Sequence, residues 1–140
     1  MHRVVLDTNV FVSGAISAHG YPAQILDSWR NQQFILVSSP QIINEISAVI
    51  QRPEIVKFTQ QDTNQIISFI QEVTQRTYMT AGILTVNIIS DPADNMILSC
   101  AIEGKATHIV TGNTKHFSSL GSVYQGIKII TPHQFIVNEL

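Results

Sequence analysis

The chain has 140 residues, of which 44% are hydrophobic and 13% are charged, and its formal net charge is −2. These values are typical of a compact globular domain and exclude a disordered chain. The small negative charge does not indicate a general nucleic-acid binder, so any such function has to come from a local site.

Targeting and redox signals are few. No apolar run approaches the roughly 20 residues that cross a bilayer, and we expect neither a membrane span nor a signal peptide. The single cysteine, Cys100, excludes an internal disulfide, and we expect it to be a small buried side chain. Together these features predict a cytoplasmic protein.

Apolar runs and helix-start signals alternate along the chain. Runs that are apolar almost throughout predict buried strands at residues 3–7 (RVVLD), 34–37 (FILV), 107–112 (THIVTG) and 127–131 (IKIIT). Residues 83–89 (ILTVNII) are a further short strand or an extended connection. Apolar residues at helical spacing behind caps or prolines predict helices that begin after Pro22, at Ser39, at a Thr59–Asp62 capping box, at Asp91 and at Pro132.

This alternation predicts an α/β fold in which helices cover both faces of a mainly parallel sheet of four to five strands. No repeat or linker divides the sequence, so we expect one domain over residues 1–140. Ligands of such folds bind beyond the carboxyl ends of the strands. Asp7 ends the first strand, and Thr111 and Asn113 follow a later one. We therefore expect the candidate site at the carboxyl ends of these two strands.

Four acidic residues are candidates for that chemistry, and each also has a purely structural interpretation. Asp7 is costly to bury at a strand end unless a cation or several donors meet it, but it could also cap the following turn. Glu45 lies at the margin of the buried stripe of its helix, where a surface glutamate is equally consistent with the pattern. Asp91 and Asp94 occupy the N-cap and the first turn of a helix, a good helix start that needs no function. We favour the cap for Asp91 and expect Asp94 to face the mouth of the sheet.

Together these carboxylates predict a magnesium site. Mg²⁺ prefers oxygen ligands and binds through one or two carboxylates while it keeps waters and substrate phosphates. Such an ion activates a water and stabilises a phosphoryl oxyanion. One cysteine and five scattered histidines do not fit a zinc site, and the sequence contains none of the glycine-rich or nucleophile motifs of competing folds.

The stretch between Glu103 and Glu139 contains no acidic residue. Its basic side chains would bind phosphates if they shared one face, whereas on unrelated loops they would simply be solvated. These side chains are Lys105, Lys115, Lys128, His108, His116 and His133.

The motifs VVLDTNVFVSG, SSPQIINEI and DPADNMILSCAIEGKATHIVTGN, in this order and spacing, resemble those of the PIN domain (PilT N-terminus) ribonucleases. The resemblance runs over nearly the whole chain, to IKIITPHQFI, and is strongest for the PIN toxins of toxin–antitoxin pairs, which include the VapC-type toxins. It implies an α/β/α sandwich and an endonuclease of single-stranded RNA that depends on Mg²⁺ or Mn²⁺. It also implies a homodimer and an inhibitory antitoxin protein.

The resemblance also assigns roles to residues of this chain. The three acids of the family fall on Asp7, Glu45 and Asp94. Asn9 matches an asparagine that orients the carboxylates, and Thr111 matches the hydroxyl residue before the last site position. We expect Asp7 and Asp94 to hold the principal ion and Glu45 to bind or orient the attacking water.

The chain departs from the family pattern at the last site position. Where the family often has a fourth aspartate the chain has Asn113, and where some relatives have an aspartate three residues later it has His116. An asparagine offers a carbonyl oxygen or a hydrogen bond but no charge, so activity could be slow, dependent on Mn²⁺, or absent. Lys115 and His116 are candidates for contacting the RNA backbone.

Three other functions fit parts of the sequence. A PIN domain that binds RNA or a protein partner without cutting is favoured by Asn113 and by the low overall basicity. A phosphotransferase of the haloacid-dehalogenase type also begins with an aspartate at a strand end, but the second aspartate that it needs is Asn9 here. A flavodoxin-like receiver domain uses an acidic cluster, and Glu45 on an early helix argues against it.

Overall fold

A computed structural model describes residues 1–59 and 61–140 of the chain. The strands in these residues are β1 (Arg3–Leu6), β2 (Ile35–Ser38), β3 (Tyr78–Met79), β4 (His108–Val110), β5 (Val123–Tyr124) and β6 (Ile127–Ile130). The helices are α1 (Thr8–Ile16), α2 (Tyr21–Arg30), α3 (Pro40–Ile50), α4 (Pro53–Thr59), α5 (Thr63–Arg76), α6 (Pro92–Glu103) and α7 (Pro132–Asn138), with a 3₁₀ helix at Thr114–Leu120. No helix in this part of the chain is both long and apolar enough to cross a membrane.

The strands of the described residues form one sheet in the order β3-β2-β1-β4-β6-β5. Every neighbouring pair is parallel except β5 and β6. Helices flank this sheet, which confirms the predicted α/β/α sandwich. The sheet has six strands rather than four or five because β3 and β5, with two residues each, are too short to leave a pattern in the sequence.

The core is centred on β1, which lies between β2 and β4. Its residues Val4, Val5 and Leu6 are completely buried, and α6 packs against all three of these strands. Cys100 on α6 is buried as expected. Burial raises the pKa of its thiol to about 12, so Cys100 stays protonated at neutral pH and acts as an apolar side chain.

Several helix boundaries differ from the prediction. The residues of α1 that are buried continue the apolar run of β1, so the sequence gives no sign of a change from strand to helix. The sequence pattern did not predict α4, which begins at Pro53, a position that proline favours. Asp62 caps α5 in a capping box with Gln65, whereas Thr59 ends α4. The predicted box at Thr59–Asp62 is therefore wrong, and residue 60 within it lies outside the described residues.

Residues 82–89, which we call the strap, run as an extended connection along α6 and form no strand. Three α6 side chains, each about one turn apart, accept hydrogen bonds from backbone N–H groups of the strap. Because these N–H groups are already bonded to α6, they are not available for a strand ladder. Asn95 accepts from Ile88 and Ile89, Ser99 accepts from Val86, and Glu103 accepts from Gly82, Ile83 and Leu84.

The basic side chains after Glu103 do not share one face. His108 begins β4 and pairs in register with Lys128 of β6, and both side chains contact Glu139, at 3.1 and 2.8 Å. Lys115 and His116 lie on the 3₁₀ helix, beyond the opposite end of β4. The length of the sheet separates the two groups, so of the two alternatives that the sequence left open, the structure favours side chains on unrelated surfaces.

Close packing between α1 and α2 requires a glycine at position 14. A Cβ atom at Gly14 would lie 2.7 Å from Leu26 Cδ1 and 2.8 Å from the Pro22 carbonyl oxygen. Gly14→Ala gains about 1 kcal/mol of helix propensity, yet we expect overpacking to lower the free energy of unfolding by about 1–3 kcal/mol. Ser13→Ala, at an exposed position of the same helix, is the matched control. Urea unfolding measures both, and a Gly14→Ala protein as stable as wild type would contradict the packing.

Candidate metal centre

The carboxyl ends of β1 and β4 lie side by side and bring Asp7 and Thr111 together. The strands are parallel neighbours with Leu6 opposite Val110, so the next residue of each lies at the same edge of the sheet. The Thr111 hydroxyl donates a 2.8 Å hydrogen bond to Asp7 Oδ2. Within the described residues the Asp7 side chain makes no capping hydrogen bond to α1, which argues against its interpretation as a helix cap.

Glu45 reaches the same site from α3. That helix follows β2 directly, because Ser39 caps it and Pro40 occupies its first position. Glu45 is half-buried, and its pKa is raised above the ordinary value, first by burial and then by the negative charges of Asp7 and Asp91. A glutamate on the open surface would not experience these effects, so the surroundings of Glu45 favour its interpretation as a residue of the site.

Asp91 and Asp94 lie at the start of α6 in different surroundings. Asp91 is exposed, and its Oδ1 accepts a 2.8 Å hydrogen bond from the N–H of Ala93, as expected for a cap. Asp94 is only 6% exposed. Burial raises the pKa of Asp94, and the charges of Asp91 and Asp7 raise it further, while His116 acts in the opposite direction. Among the described residues, no group gives Asp94 Oδ2 a hydrogen bond of regular geometry.

His116 and Asn113 lie at the rim of the site. His116 Nδ1 is 3.1 Å from Asp94 Oδ2, and His116 Nε2 is 2.8 Å from Asn113 Nδ2. The backbone N–H of Asn113 donates a 3.1 Å hydrogen bond to the Thr111 hydroxyl. A chain of polar contacts therefore runs from Asp7 through Thr111, Asn113 and His116 to Asp94.

Asn9 and Lys115 lie at the edge of this group. Asn9 is exposed in the first turn of α1, and Lys115 is exposed on the 3₁₀ helix. Asn9 is two residues from Asp7 and Lys115 is next to His116 along the chain, and their roles in orienting the carboxylates and in binding RNA stay predictions.

Thr8 and Asn95 support the site although the sequence did not single them out. Thr8 is 2% exposed, and its hydroxyl lies beside Glu45 without a hydrogen bond of regular geometry among the described residues. Asn95 fixes the strap through its side-chain amide and so holds the start of α6. Both residues belong to the motifs LDTN and DPADN, where polar residues interrupt an apolar pattern, and that interruption was the available signal.

This arrangement fits a divalent cation. Ligand atoms of Asp91, Asp94 and His116 all lie within 4.8 Å of one another. Asp7 and Glu45 are not part of this group, but the charge of Asp7 acts on Asp94, and the charges of Asp7 and Asp91 act on Glu45. A cation beside these carboxylates would favour their charged forms and would give Asp94 Oδ2 a partner in addition to its 3.1 Å contact with His116 Nδ1. A set of donors dominated by carboxylate oxygens suits Mg²⁺ or Mn²⁺.

Burial of Glu45 and, to a smaller extent, its crowding by other carboxylates should destabilise the metal-free protein at neutral pH. The pKa of Glu45 in the folded state lies above its ordinary value of 4.5. Its contribution to stability is therefore present below that pH and is lost as the pH rises through the folded-state pKa. In EDTA, Glu45→Gln should raise the melting temperature at pH 7 by about 1–3 °C, and the gain should vanish near pH 4.

Thermal unfolding at the two pH values measures this effect. Glu54→Gln, at an exposed glutamate of α4, is the matched control and should leave the melting temperature unchanged. A Glu45→Gln protein that melts at or below the wild-type temperature at pH 7 would show that Glu45 is not in a repulsive cluster.

Comparison with known proteins identifies the family. Residues 3–115 match the family model described as PIN domain. Over 142 aligned residues the chain is 28% identical to an uncharacterized protein of Methanocaldococcus jannaschii, with 96% of this chain and 89% of that protein covered. The fold is similar to that in the crystal structure of VapBC2 from Rickettsia felis bound to a DNA fragment from its promoter. The TM-score of that comparison is 0.56 and the sequence identity is 16%, and it covers 92% of this chain and 98% of that chain. Because the family model spans most of the chain, including the four acidic residues of the site, the chain belongs to the PIN domain family.

Proposed function

We propose that the protein is a metal-dependent endonuclease that hydrolyses phosphodiester bonds of single-stranded RNA, as the toxin of a toxin–antitoxin pair. The observation that carries this proposal is the buried carboxylate of Asp94, whose Oδ2 has no regular hydrogen bond among the described residues. Beside it lie the charges of Asp7 and Asp91. Burying a carboxylate among like charges is unfavourable unless a cation joins them. Membership of the PIN family supports the nuclease class.

We assign Asp7 and Asp94 to a principal Mg²⁺ or Mn²⁺ ion. When bound, such an ion lowers the pKa of a water molecule and offsets the charge that develops on the phosphate. The Thr111 hydroxyl fixes Asp7 through Oδ2, which leaves Oδ1 available as a ligand. Glu45 binds or orients the attacking water from α3, and Asn9 orients the carboxylates from the start of α1.

Contacts with the RNA backbone are assigned to the 3₁₀ helix. Lys115 is exposed there beside the site, and an exposed ammonium group neutralises a phosphate without reading the base sequence. His116 is next to Lys115 and is also exposed, but its contact with Asp94 gives it a second candidate role.

We further propose an antitoxin protein as a partner, a homodimer and a cytoplasmic location. The likeness to the fold of VapBC2 and the resemblance to VapC-type toxins support the antitoxin. An apolar groove of about 560 Å³ beside α4 and α5 is lined in part by Val56, Ile66 and Ile67. Ile67 is 48% exposed, so this groove offers apolar surface to a partner or to a second copy.

A PIN domain that binds RNA or protein without cutting is the alternative function. It is favoured by Asn113, which carries no charge and whose side chain contacts His116. The family match sets aside the phosphotransferase and receiver-domain alternatives.

Asp94→Asn removes the charge of the most buried carboxylate while it keeps the shape of the side chain. We expect it to lower metal-dependent cleavage of RNA by about 100-fold or more, with the fold intact. The assay follows a mixed pool of single-stranded RNA with Mg²⁺, with Mn²⁺ and with EDTA. Asp27→Asn, at a side chain that is 70% exposed, is the matched control and should cleave like wild type.

Two results would contradict the nuclease site. They are wild-type cleavage that survives EDTA and equal cleavage by the Asp94→Asn protein. RNA binding by wild type without cleavage in either ion would favour the binding-only alternative.

A further inference from the structure

His116 places a nitrogen atom where it can join the carboxylates of the site. Its Nδ1 lies 3.1 Å from Asp94 Oδ2. Asp94 is 6% exposed, and the same oxygen has no hydrogen bond of regular geometry among the described residues. The two atoms are within ion-pair distance, but their contact does not have the geometry of a hydrogen bond. Lone pairs of the buried oxygen are therefore available to a third atom.

The separation of these two atoms matches that of neighbouring ligands on one metal ion. With metal–ligand bonds of about 2.1 Å, two ligands at right angles lie about 3.0 Å apart. Asp91 supplies a third donor, since ligand atoms of Asp91, Asp94 and His116 lie within 4.8 Å of one another. Asp91 uses Oδ1 as the cap of α6, which leaves Oδ2 free of that bond.

Asn113 holds the other side of the imidazole ring, with its amide nitrogen 2.8 Å from His116 Nε2. A histidine that binds a metal is commonly held by a second polar group at the nitrogen that faces away from the ion. An asparagine amide can donate to Nε2 or, after a turn of the amide, accept from it. The second arrangement, in which Asn113 Oδ1 accepts from Nε2–H, leaves the Nδ1 lone pair free for a metal ion. With the amide as it stands, Nδ2 faces Nε2 and the ring proton is on Nδ1, so metal binding through Nδ1 requires the amide to turn.

We propose that His116 is a metal ligand through Nδ1 and that it makes this site prefer transition-metal ions such as Mn²⁺ over Mg²⁺. Imidazole suits transition metals, whereas Mg²⁺ prefers oxygen ligands. A neutral histidine also contributes no negative charge where an aspartate would, which weakens Mg²⁺ binding further. The proposal rests on the proposed function only in that the carboxylates hold a divalent ion.

Calorimetric titration of Mg²⁺ and Mn²⁺ into wild type, His116→Asp and His116→Gln tests the preference. We expect His116→Gln to weaken Mn²⁺ binding by about tenfold or more with little effect on Mg²⁺. We expect His116→Asp to bind Mg²⁺ about tenfold more tightly than wild type. The side chain of His116 is 47% exposed, so both variants should fold. His133→Gln, at an exposed histidine of α7, is the matched control.

A spectroscopic readout tests the ligand directly. Pulsed electron paramagnetic resonance of bound Mn²⁺ should show coupling to a nitrogen nucleus in wild type and in His133→Gln, and none in His116→Gln. Unchanged affinities in both His116 variants, or no nitrogen coupling in wild type, would overturn the proposal and leave His116 as a structural partner of Asp94.

Asp94→Asn separates this failure from a failure of the proposed function. If Asp94→Asn abolishes binding of both ions while the His116 variants bind like wild type, the metal site stands and only the ligand role of His116 fails. If wild type binds neither ion, the metal-dependent nuclease and the ligand role both fail.

Discussion

Repulsion between carboxylates held at one edge of the sheet is the constraint around which this site is built. Asp7, Glu45 and the Asp91–Asp94 pair come from three parts of the chain, and burial together with the charges of neighbouring acids raises the pKa of Glu45 and of Asp94. The apolar core beneath them, centred on β1, is continuous. Its burial stabilises the folded state and offsets the unfavourable free energy of grouping these charges. A protein selected for stability alone would not collect these charges, so their grouping indicates a ligand of opposite charge.

The helices that carry Glu45 and Asp94 begin in the same way. α3 and α6 each begin with a polar cap followed by proline, as Ser39-Pro40 and Asp91-Pro92. Because proline fixes φ and has no N–H to satisfy, each helix starts at a defined residue. The positions of Glu45 and Asp94 relative to the sheet then follow from their distances along the helices, and neither acid needs a direct bond to hold it in place.

Much of the fold, and the positions of three candidate acids on it, could be predicted because their signals are local. An apolar run that ends on Asp7 shows both the strand and its carboxyl end, and caps with a helical period assign Glu45 and Asp94 to their helices. That period left Glu45 equally consistent with an exposed position, and only the resemblance to PIN domains singled it out. The contact of His116 with Asp94 could not be predicted, because it depends on how a 3₁₀ helix without an apolar period approaches the start of α6. The burial of Thr8 was hidden for a related reason: α1 continues the apolar run of β1, so the start of the helix is not visible in the pattern.

Thr111 connects Asp7 with the residues that follow β4. Its hydroxyl donates to Asp7 Oδ2 and accepts from the N–H of Asn113. Asn113 in turn holds the ring of His116. Thr111 is completely buried, so water cannot take over either hydrogen bond without a cavity being opened. The orientation of the first acid and the placement of the histidine therefore depend on the same side chain, which explains why a hydroxyl residue follows β4 at the point where the sheet meets the site.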